Sequence, residues 1–434
     1  MKISFNTPIR KWSVAAAAVA LAAAYVGLAT SQFAAYLLGN PLRVESTSLT
    51  NLSRAARLDP GNADYRYHLG RYYALVASDP ASAVGQYKAA VQLNPHSADY
   101  WLDLADAYQV MDDKADQTLA LENAVHAEPT NPDVARNAAN FYLVLATNEN
   151  DNAVSQNLLA KALREFRVVL ANDPSSATEA VRNCWRIEPD VDALLRDVMP
   201  PRSEAYLAFL TLLESKEETA GAAKVWSALI ESHQSFELRY AEDYFHYLIQ
   251  HKEVDQAVLV WQQAANRFGL SAYLPTSGNL IVNGSFNLDV LNAGFDWQYQ
   301  KQDSVRLTLD PGDFHSGRRS LMINFEGPGV VDAGIYQLVA VQPDTTYDFS
   351  AFYKNGELEG AGGPHFTIQD MYTQAIYYDS DELKDAGFWK SDEGEFTTGK
   401  DCKLVVLHVR RLPERSPIRG KLWIDDFRLT RKPS

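Results

Sequence analysis

Cysteine is nearly absent from this chain of 434 residues, which contains only Cys184 and Cys402. The two cysteines lie in different predicted domains, so we do not expect a disulfide between them. A zinc site built from cysteine alone needs four thiolates, and two cysteines cannot supply them. Scarce cysteine is compatible with an oxidising compartment but does not by itself identify one.

An excess of basic charge is also absent. Asp and Glu number 55 against 40 Lys and Arg, so the formal net charge is −15. Proteins that bind nucleic acid neutralise phosphates with a concentrated basic patch, and the sequence contains none. We therefore predict that nucleic acid is not a partner. Hydrophobic residues make up 46% of the chain, which is typical of folded globular domains.

Short motifs that identify common enzymes are absent as well. The nine histidines form no H-E-x-x-H motif, and the chain has no G-x-S-x-G and no glycine-rich phosphate loop. The acidic pairs Asp112-Asp113, Asp381-Glu382 and Asp425-Asp426 are adjacent along the chain, whereas glycosidase carboxylates face each other across a cleft. We predict a protein that is not an enzyme and requires no cofactor. The alternative is a glycan-acting enzyme hidden in the C-terminal half.

Only one long uncharged run is present. Residues 12–38, WSVAAAAVALAAAYVGLATSQFAAYLL, contain no charged side chain, and the segment before them carries Lys2, Arg10 and Lys11 but no acid. The run is longer than the ~20 residues that cross a bilayer as a helix. The basic flank predicts a cytoplasmic N-terminus, with the rest of the chain on the other side of the membrane.

This N-terminal segment, residues 1–45, has three interpretations. We favour an uncleaved single-pass anchor, because apolar residues continue to Leu38. The others are a signal peptide cleaved near residues 22–24 or 28–30, and a buried helix of a soluble protein. The alanine-rich composition suggests a bacterial envelope protein. We expect it in the inner membrane with its bulk in the periplasm or, after cleavage, secreted or periplasmic.

A repeat dominates residues 46–270. Three segments align with one another, and NDPSSATEA begins a fourth at residue 172. The three are LDPGNADYRYHLGRYY (58–73), LNPHSADYWLDLADAY (93–108) and AEPTNPDVARNAANFY (127–142). Their prolines and the proline of the fourth segment stand 35, 34 and 45 residues apart, and a period near 34 is the tetratricopeptide period. The longer interval contains a polar insertion, NENDNAVSQN (148–157), before the second helix.

Residues at fixed positions extend the comparison. The signature W-x2-L-G-x2-Y is present in part at three places: Leu69-Gly70 with Tyr73, Trp101 with Leu104-Ala105 and Tyr108, and Ala138-Ala139 with Tyr142. After an irregular patch predicted at 175–202, the pairs Ala222/Trp226 and Ala257/Trp261 recur 35 residues apart. The region resembles the tetratricopeptide-repeat family, and we predict about five helical hairpins in an α-solenoid.

The resemblance implies a protein partner held in a groove of the solenoid, without naming that partner. The tyrosines and tryptophans of the repeat are expected to form its core. The groove candidates are polar residues between core positions on the first helices: Arg66, Asp103, Arg136 and Asn137.

The chain changes character at NLIVNGSFN (279–287), after a predicted linker at 271–278. Short segments that alternate or run apolar follow, separated by turn clusters. They are VRLTLD (305–310), SLMINF (320–325), IYQLVAV (335–341), YDFSAFYK (347–354), HFTIQD (365–370), KLVVLHV (403–409) and KLWIDDFRL (421–429). With 279–286 they make about eight strands, which predicts a β-sandwich over residues 279–434.

Five phrases in this half follow one another in a set order. They are NLIVNGSFN, GFDWQ, HSGRRSLMINFEG, IYQLVAVQPDTTYDFSAFYK and GKLWIDDFRL. This succession resembles the jelly-roll carbohydrate-binding modules attached to cellulases and xylanases, within the galactose-binding-like superfamily. The resemblance covers nearly all of 277–431 and implies a glycan ligand. The superfamily also contains protein-binding and purely structural members.

Sugar recognition by such sandwiches needs aromatic rings that pack on the C–H face of a pyranose, and planar polar groups for its hydroxyls. The candidates are Trp297, Tyr299, Gln369, Tyr372, Gln374, Tyr377, Tyr378 and Trp389, with Gln298 and Gln300 as further hydrogen-bonding residues. For each ring the alternative is a place in the core or an ordinary exposed position. The resemblance also implies a structural calcium at Asn287 and Asp425. Asparagine at 287 removes one carboxylate and weakens that site.

The sequence thus predicts a multidomain chain, α then β: an N-terminal transmembrane helix, a TPR-like α-solenoid and a jelly-roll β-sandwich. The predicted function is a membrane-anchored envelope scaffold that binds a protein partner and a glycan. The architecture suggests a setting in polysaccharide synthesis or export. The alternative is an assembly factor whose sandwich is structural or binds protein, with no affinity for sugar. Burial of the candidate aromatic residues would favour that alternative.

Overall fold

The computed structural model describes residues 8–39, 48–411 and 416–432. Lys2, both ends of the predicted anchor and the first two residues of the predicted solenoid lie outside this described part. The chain forms two compact units, Met1–Gln234 and Ser235–Ser434. Helices come first and an antiparallel β-sandwich follows, which confirms the predicted fold class. The domain limits drawn from the sequence stay predictions.

Fourteen α-helices lie in the described residues. They are α1 Pro8–Gly39, α2 Leu49–Leu58, α3 Ala63–Leu75, α4 Pro80–Leu93, α5 Ala98–Val110, α6 Lys114–Ala127, α7 Pro132–Thr147, α8 Asn152–Asn172, α9 Ala177–Ile187, α10 Val191–Asp197, α11 Ser203–Glu214, α12 Thr219–Glu231, α13 Leu238–Gln250 and α14 Val254–Phe268. Neighbouring helices pack against each other along the chain, including α1 with α2 and α4 with α5. The pairs α3 with α4, α5 with α6, α7 with α8, α11 with α12 and α13 with α14 correspond to the approximately five predicted hairpins.

Local sequence sets where these helices begin and how closely they pack. Asp79 accepts a hydrogen bond from the Ser82 backbone N–H at the start of α4, and Asp113 does the same for Asp116 at the start of α6. Within the first hairpin, a Cβ on Gly70 would lie 2.6 Å from the ring of Tyr87. Glycine at this position therefore allows α3 to approach α4.

Two predicted irregularities are helical in the structure. The patch at 175–202 contains α9 and α10, and its prolines fall between or after these helices rather than within them. The polar insertion at 148–157 is mostly absorbed by α8, which begins at Asn152 and runs for 21 residues. Asp151 caps this helix by accepting the N–H groups of Ala153 and Val154.

Within the described residues, the sandwich contains ten strands in two antiparallel sheets. They are β1 Gln298–Tyr299, β2 Val305–Asp310, β3 Ser320–Gly327, β4 Asp332–Ala340, β5 Thr346–Gly360, β6 Pro364–Asp370, β7 Ile376–Asp379, β8 Lys390–Thr397, β9 Leu404–Arg411 and β10 Ile418–Arg431. Sheet I has the order β1-β4-β9-β6-β7, and sheet II has the order β2-β3-β10-β5-β8. The inward residues of both sheets form one core that includes Phe286, Ile323, Phe366 and Leu422.

The predicted strand at 279–286 is wrong, because this segment forms turns. Asn283 and Phe286 have positive φ angles of 49° each, which lie outside the extended range of a regular strand. Buried Gln337 replaces a strand partner: its Oε1 accepts the N–H of Val282 and its Nε2 donates to the carbonyl of the same residue. The sequence also missed β1, β7 and β8.

The last helical hairpin belongs to the same compact unit as the sandwich. The ring of Phe245 in α13 meets Phe295 edge-on, with centroids 5.0 Å apart. Trp261 of α14 lies against Gly294, where a Cβ would be 2.2 Å from the indole. The segment that connects this hairpin to the sandwich also contacts the sandwich, since the Tyr273 hydroxyl donates a hydrogen bond to the carbonyl of Asp289.

Candidate functional site

A polar cleft lies on the outer face of sheet I. Its floor consists of β1, β4, β9 and β6, one side is the loop after β6, and another is α13. The volume is about 420 Å³. The lining residues are His246, Ile249, Gln250, Gln298, Gln300, Gln302, Asp332, Gly334, Tyr336, Leu338, Gln369, Met371, Gln374, Val406 and His408. We call this set the polar cleft.

Strand alternation explains why these side chains meet. Tyr336 pairs with His408, and His408 pairs with Thr367 two positions before Gln369. Successive residues of a strand point to opposite faces, so the neighbours Ile335 and Leu407 enter the core while Tyr336 and His408 face outward. The register therefore brings outward polar residues from three strands onto one surface.

Gln369 is the centre of a hydrogen-bond network in the floor of the cleft. Its side chain is only 5% exposed. Its Oε1 accepts from Nη1 of Arg410 at 3.0 Å, and its Nε2 donates to Oε1 of Gln374 at 2.8 Å. His408 Nε2 is 3.5 Å from the same Nε2. A buried amide held at both ends has a fixed orientation.

A second set of contacts fixes the aromatic part of the floor. The Tyr336 hydroxyl donates to Oε1 of Gln298 at 2.8 Å, and Nδ1 of His408 lies 3.0 Å from Oδ2 of Asp332. The rings of Tyr336 and His408 are tilted by 30° with centroids 6.0 Å apart. Burial, together with the charge of Asp332, raises the pKa of Tyr336, so its hydroxyl stays protonated.

The cleft presents planar hydrogen-bonding groups with little net charge. Amides and imidazoles supply donors and acceptors on several sides. Among the described lining residues, Asp332 is the one carboxylate, and it is paired with His408. The guanidinium of Arg410 is directed to Gln369. This chemistry suits a neutral, polyhydroxylated ligand.

Trp297 is a core residue, which corrects its prediction as a sugar-binding ring. Its side chain is fully buried, and its indole N–H donates to the Asn283 carbonyl at 3.2 Å. Its ring packs against Phe286 and Phe427, with centroids 5.1 and 4.9 Å away. A ring with no exposed face cannot stack on a sugar.

Tyr377 and Tyr378 are half-buried against the sandwich core and do not line the polar cleft. The Tyr377 ring stacks on Phe396, and its hydroxyl accepts the N–H of Gly399 at 3.1 Å. The Tyr378 hydroxyl donates to Asp392 at 2.7 Å. Burial raises the pKa of Tyr377 to about 12. Both rings are already engaged by the protein.

The remaining candidates lie in four places. Gln369 and Gln374 line the polar cleft. Tyr372 lies beside it, and its hydroxyl donates to the carbonyl of Ile249 in α13 at 2.8 Å. Tyr299 is 51% exposed on the edge strand β1. Trp389 precedes β8 of sheet II, so it lies away from the cleft in sheet I.

Sequence reasoning missed Tyr336, Asp332 and His408. Tyr336 and His408 sit inside phrases that were assigned as strands, IYQLVAV and KLVVLHV. Their outward positions could have been found from the two-residue period of those strands. Asp332 precedes the first phrase, and its role depends on the register with β9, which the sequence does not specify.

The implied calcium ligands do not fit a cation in this chain. The buried Asp425 carboxylate accepts backbone N–H groups of His315 at 2.9 Å, Ser316 at 3.1 Å and Asp426 at 2.8 Å. Asn287 accepts the N–H of Arg318 at 2.8 Å. Backbone donors thus occupy the oxygens that calcium would use. The described residues contain no group of three or more His, Cys, Asp or Glu suited to a metal.

In the first compact unit, Asp103 lines a groove cavity of about 380 Å³. It accepts from the Tyr87 hydroxyl at 3.5 Å and lies 3.8 Å from Nε of Arg71. Burial raises the pKa of Asp103. Two strongly exposed apolar residues, Leu75 and Val110, also line this cavity.

The other groove candidates are placed differently. Arg66 donates to Gln86 at 3.3 Å. Arg136 contacts Asp133 and Asp173, each at 3.0 Å, and Asn137 is exposed.

Comparison with known proteins identifies the class of the second half. Residues 278–413 match the family model described as a carbohydrate binding domain. The chain therefore carries a C-terminal domain of this family, which confirms the resemblance predicted from the sequence. No match was found among curated proteins.

Several solved structures are similar to part of this chain. A structure described as "CBM4 structure and function" is 16% identical and covers 35% of this chain and 99% of its own, with a TM-score of 0.28. The CBM22-1 xylan-binding domain of Paenibacillus barcinonensis Xyn10C is 12% identical over 35% of this chain and 93% of its own, with a TM-score of 0.26. The MamA protein is 18% identical over 46% and 91%, with a TM-score of 0.26.

Proposed function

We propose that this protein binds a neutral glycan in the polar cleft of sheet I. The carrying observation is the amide of Gln369, which Arg410 and Gln374 hold in one orientation on the open face of a carbohydrate-binding domain. Fixed planar donors and acceptors lose little conformational entropy when a sugar binds. Tyr336 offers the aromatic surface of the site.

The cleft supports a role without catalysis. Glycosidases of the common kinds use two carboxyl groups on either side of the scissile bond. The described lining residues include a single carboxylate, Asp332, and its partner is His408. We propose that the domain holds a glycan rather than cleaving it.

The helical unit supplies a second binding surface in this proposal. Its groove at Asp103 combines a half-buried carboxylate with apolar rim residues. A basic segment of a partner protein with apolar neighbours would complement that surface. The protein would then act as a scaffold that raises the effective concentration of a glycan near its partner. The proposed setting is polysaccharide synthesis or export.

We further propose that α1 is a retained membrane anchor. Among the described residues, the part of α1 from Trp12 to Gly39 is long and apolar enough to cross a bilayer by length and composition. Its 28 residues span about 42 Å, whereas a bilayer core is about 30 Å thick. The length beyond the bilayer core corresponds to the last turns of α1. There, buried Ala35 and half-buried Leu38 pack with Leu52 and Ala55 of α2. The proposed location is a bacterial inner membrane, with the bulk of the chain in the periplasm.

A glycan-binding screen of the full chain in detergent tests the central proposal. The panel contains neutral xylo-, cello-, manno- and galacto-oligosaccharides together with charged polysaccharides. We expect saturable binding of a neutral member, lost in Tyr336→Ala and kept in Trp389→Ala on the other sheet. Equal loss in both variants would contradict the site, and no binding by the folded protein would contradict the function.

The second candidate function is an assembly factor whose sandwich has no affinity for sugar. The burial of Trp297 and the engagement of Tyr377 and Tyr378 by the protein favour it. So does the contact of Tyr372 with α13, because this ring is used for packing. A negative screen with a well-folded protein would make this candidate the leading one.

A further inference from the structure

We infer that helix α13, which precedes the carbohydrate-binding domain in the chain, forms a wall of its glycan site and contributes to ligand specificity. This inference rests on the proposed glycan-binding function of the polar cleft. The family match begins at residue 278, so α13 lies outside the matched domain. Yet His246, Ile249 and Gln250 of this helix line the same cavity as Gln369 and His408.

The wall is attached to the cleft by direct contacts. The Tyr372 hydroxyl donates to the carbonyl of Ile249 at 2.8 Å, in the last turn of α13. The same carbonyl accepts the backbone N–H of Lys252 at 3.2 Å, so Tyr372 adds a donor from the loop after β6 to an acceptor at the end of α13. The ammonium of Lys252 lies 5.5 Å from the Tyr372 ring centroid. Met371 and Gln374, which lie before and after Tyr372 in the loop that follows β6, line the cavity.

Apolar packing behind the wall fixes its position. Phe245, next to His246, meets Phe295 of the domain edge-on at 5.0 Å. Trp261 of the paired helix α14 lies against Gly294, close enough to exclude a Cβ there. Burial raises the pKa of Tyr372 to about 12, so its bond to Ile249 persists at neutral pH. Helix α13 is therefore packed firmly against the sandwich within this compact unit.

The wall offers hydrogen-bonding groups to a ligand. His246 and Gln250 are four residues apart, so they share one face of α13, and both are exposed. Nδ1 of His246 is 2.8 Å from the Glu242 carbonyl, so Nδ1 carries the proton that it donates. Nε2 of the neutral ring is then an acceptor for a sugar hydroxyl. A glycan on the floor would meet the amide of Gln250 and the imidazole of His246 from the side.

Equilibrium binding by the full chain tests this inference, with the neutral oligosaccharide panel of the screen as probes. We expect His246→Ala and Gln250→Ala each to weaken the best probe about three- to tenfold, the loss of one hydrogen bond to a ligand. Their melting temperatures should equal that of the wild type. His246→Gln, which restores an acceptor, should recover part of the affinity. Asp243→Ala, exposed on the same helix outside the cleft, is the matched control and should bind normally.

The outcomes separate the inference from the function on which it rests. If Tyr336→Ala abolishes binding while both wall variants bind like the wild type across the panel, the wall is refuted and the glycan site stands. If the wild type binds no probe, the proposed function fails and the inference fails with it. A change in the order of preference among probes in the wall variants would support a role in specificity.

Discussion

The side chain of Gln337 holds the first segment of the sandwich, around Val282, in place. It is fully buried, and its amide makes two hydrogen bonds to the backbone of Val282, at 3.1 and 2.8 Å. We expect Gln337→Leu to lower the free energy of unfolding by about 2–4 kcal/mol, because two buried backbone groups lose their partners. Chemical denaturation measures this loss. Gln342→Leu, at an exposed position, should change stability little, and equal effects would contradict the role of Gln337.

Asp296 gives the stability a pH dependence. Burial raises the pKa of this carboxyl to about 6 in the folded protein, against an ordinary value near 4. The folded state therefore binds the proton more tightly, so this stabilising contribution is complete below about pH 4 and is lost as the pH rises through 6. We expect wild-type stability to fall by about 2–3 kcal/mol more than that of Asp296→Asn over this range.

Thermal unfolding at several pH values between 4 and 7 measures the difference. Asp303→Asn, an exposed change in the same domain, serves as the control and should follow the wild type. Identical pH profiles for wild type and Asp296→Asn would show that Asp296 does not titrate in this range.

Single residues also show the limit of sequence reasoning. Trp297 is predicted as a sugar-binding ring because it is aromatic and lies outside the predicted strands, although its indole is fully buried between Phe286 and Phe427. Tyr336 lies inside the predicted strand IYQLVAV and is not among the candidates, yet it lines the cleft. The distinction depends on strand register, which long-range pairing determines.

Elements were predictable where their pattern was local. The helical period and the proline spacing located the hairpins, and apolar alternation located β2, β3 and β6 to within two residues. β8, KSDEGEFT, has few apolar residues and pairs only with β5 at the end of sheet II, so alternation could not indicate it. The apolar run at 280–282 suggested a strand, but it is held by turns and by a side chain instead.

The junction of the last hairpin and the sandwich is a packed element. Gly294 has φ +56°, and a Cβ there would lie 2.2 Å from the Trp261 indole. We expect Gly294→Ala to loosen the contact of α14 with the sandwich, because alanine meets both a steric clash and an unfavourable backbone angle. Limited proteolysis within 271–278 should become faster. Gly278→Ala is the control, because a Cβ on Gly278 would have no neighbouring atom closer than 4.0 Å. Unchanged cleavage would show that the hairpin is not held there.

In the whole molecule, a retained membrane anchor requires that the N-terminal helix remain in the mature protein. Ala35 is fully buried with residues of α2 and α3, so the end of α1 completes an apolar cluster with these two helices. Mass spectrometry of the protein from its membrane fraction should show an N-terminus ahead of Trp12. A mature N-terminus near residue 25 or 31 would show cleavage of a signal peptide instead.

The central claim is that a glycan occupies the polar cleft between the floor of sheet I and the wall of α13. Hydroxyl-radical footprinting of the full chain, with and without the oligosaccharide that binds best, tests it most directly. We expect ligand-dependent protection of Tyr336 and His408 on the floor, of Met371 in the loop after β6 and of His246 on the wall, with Trp423 of sheet II unchanged. Protection of Trp389 or Trp423 with none in the cleft would contradict the account.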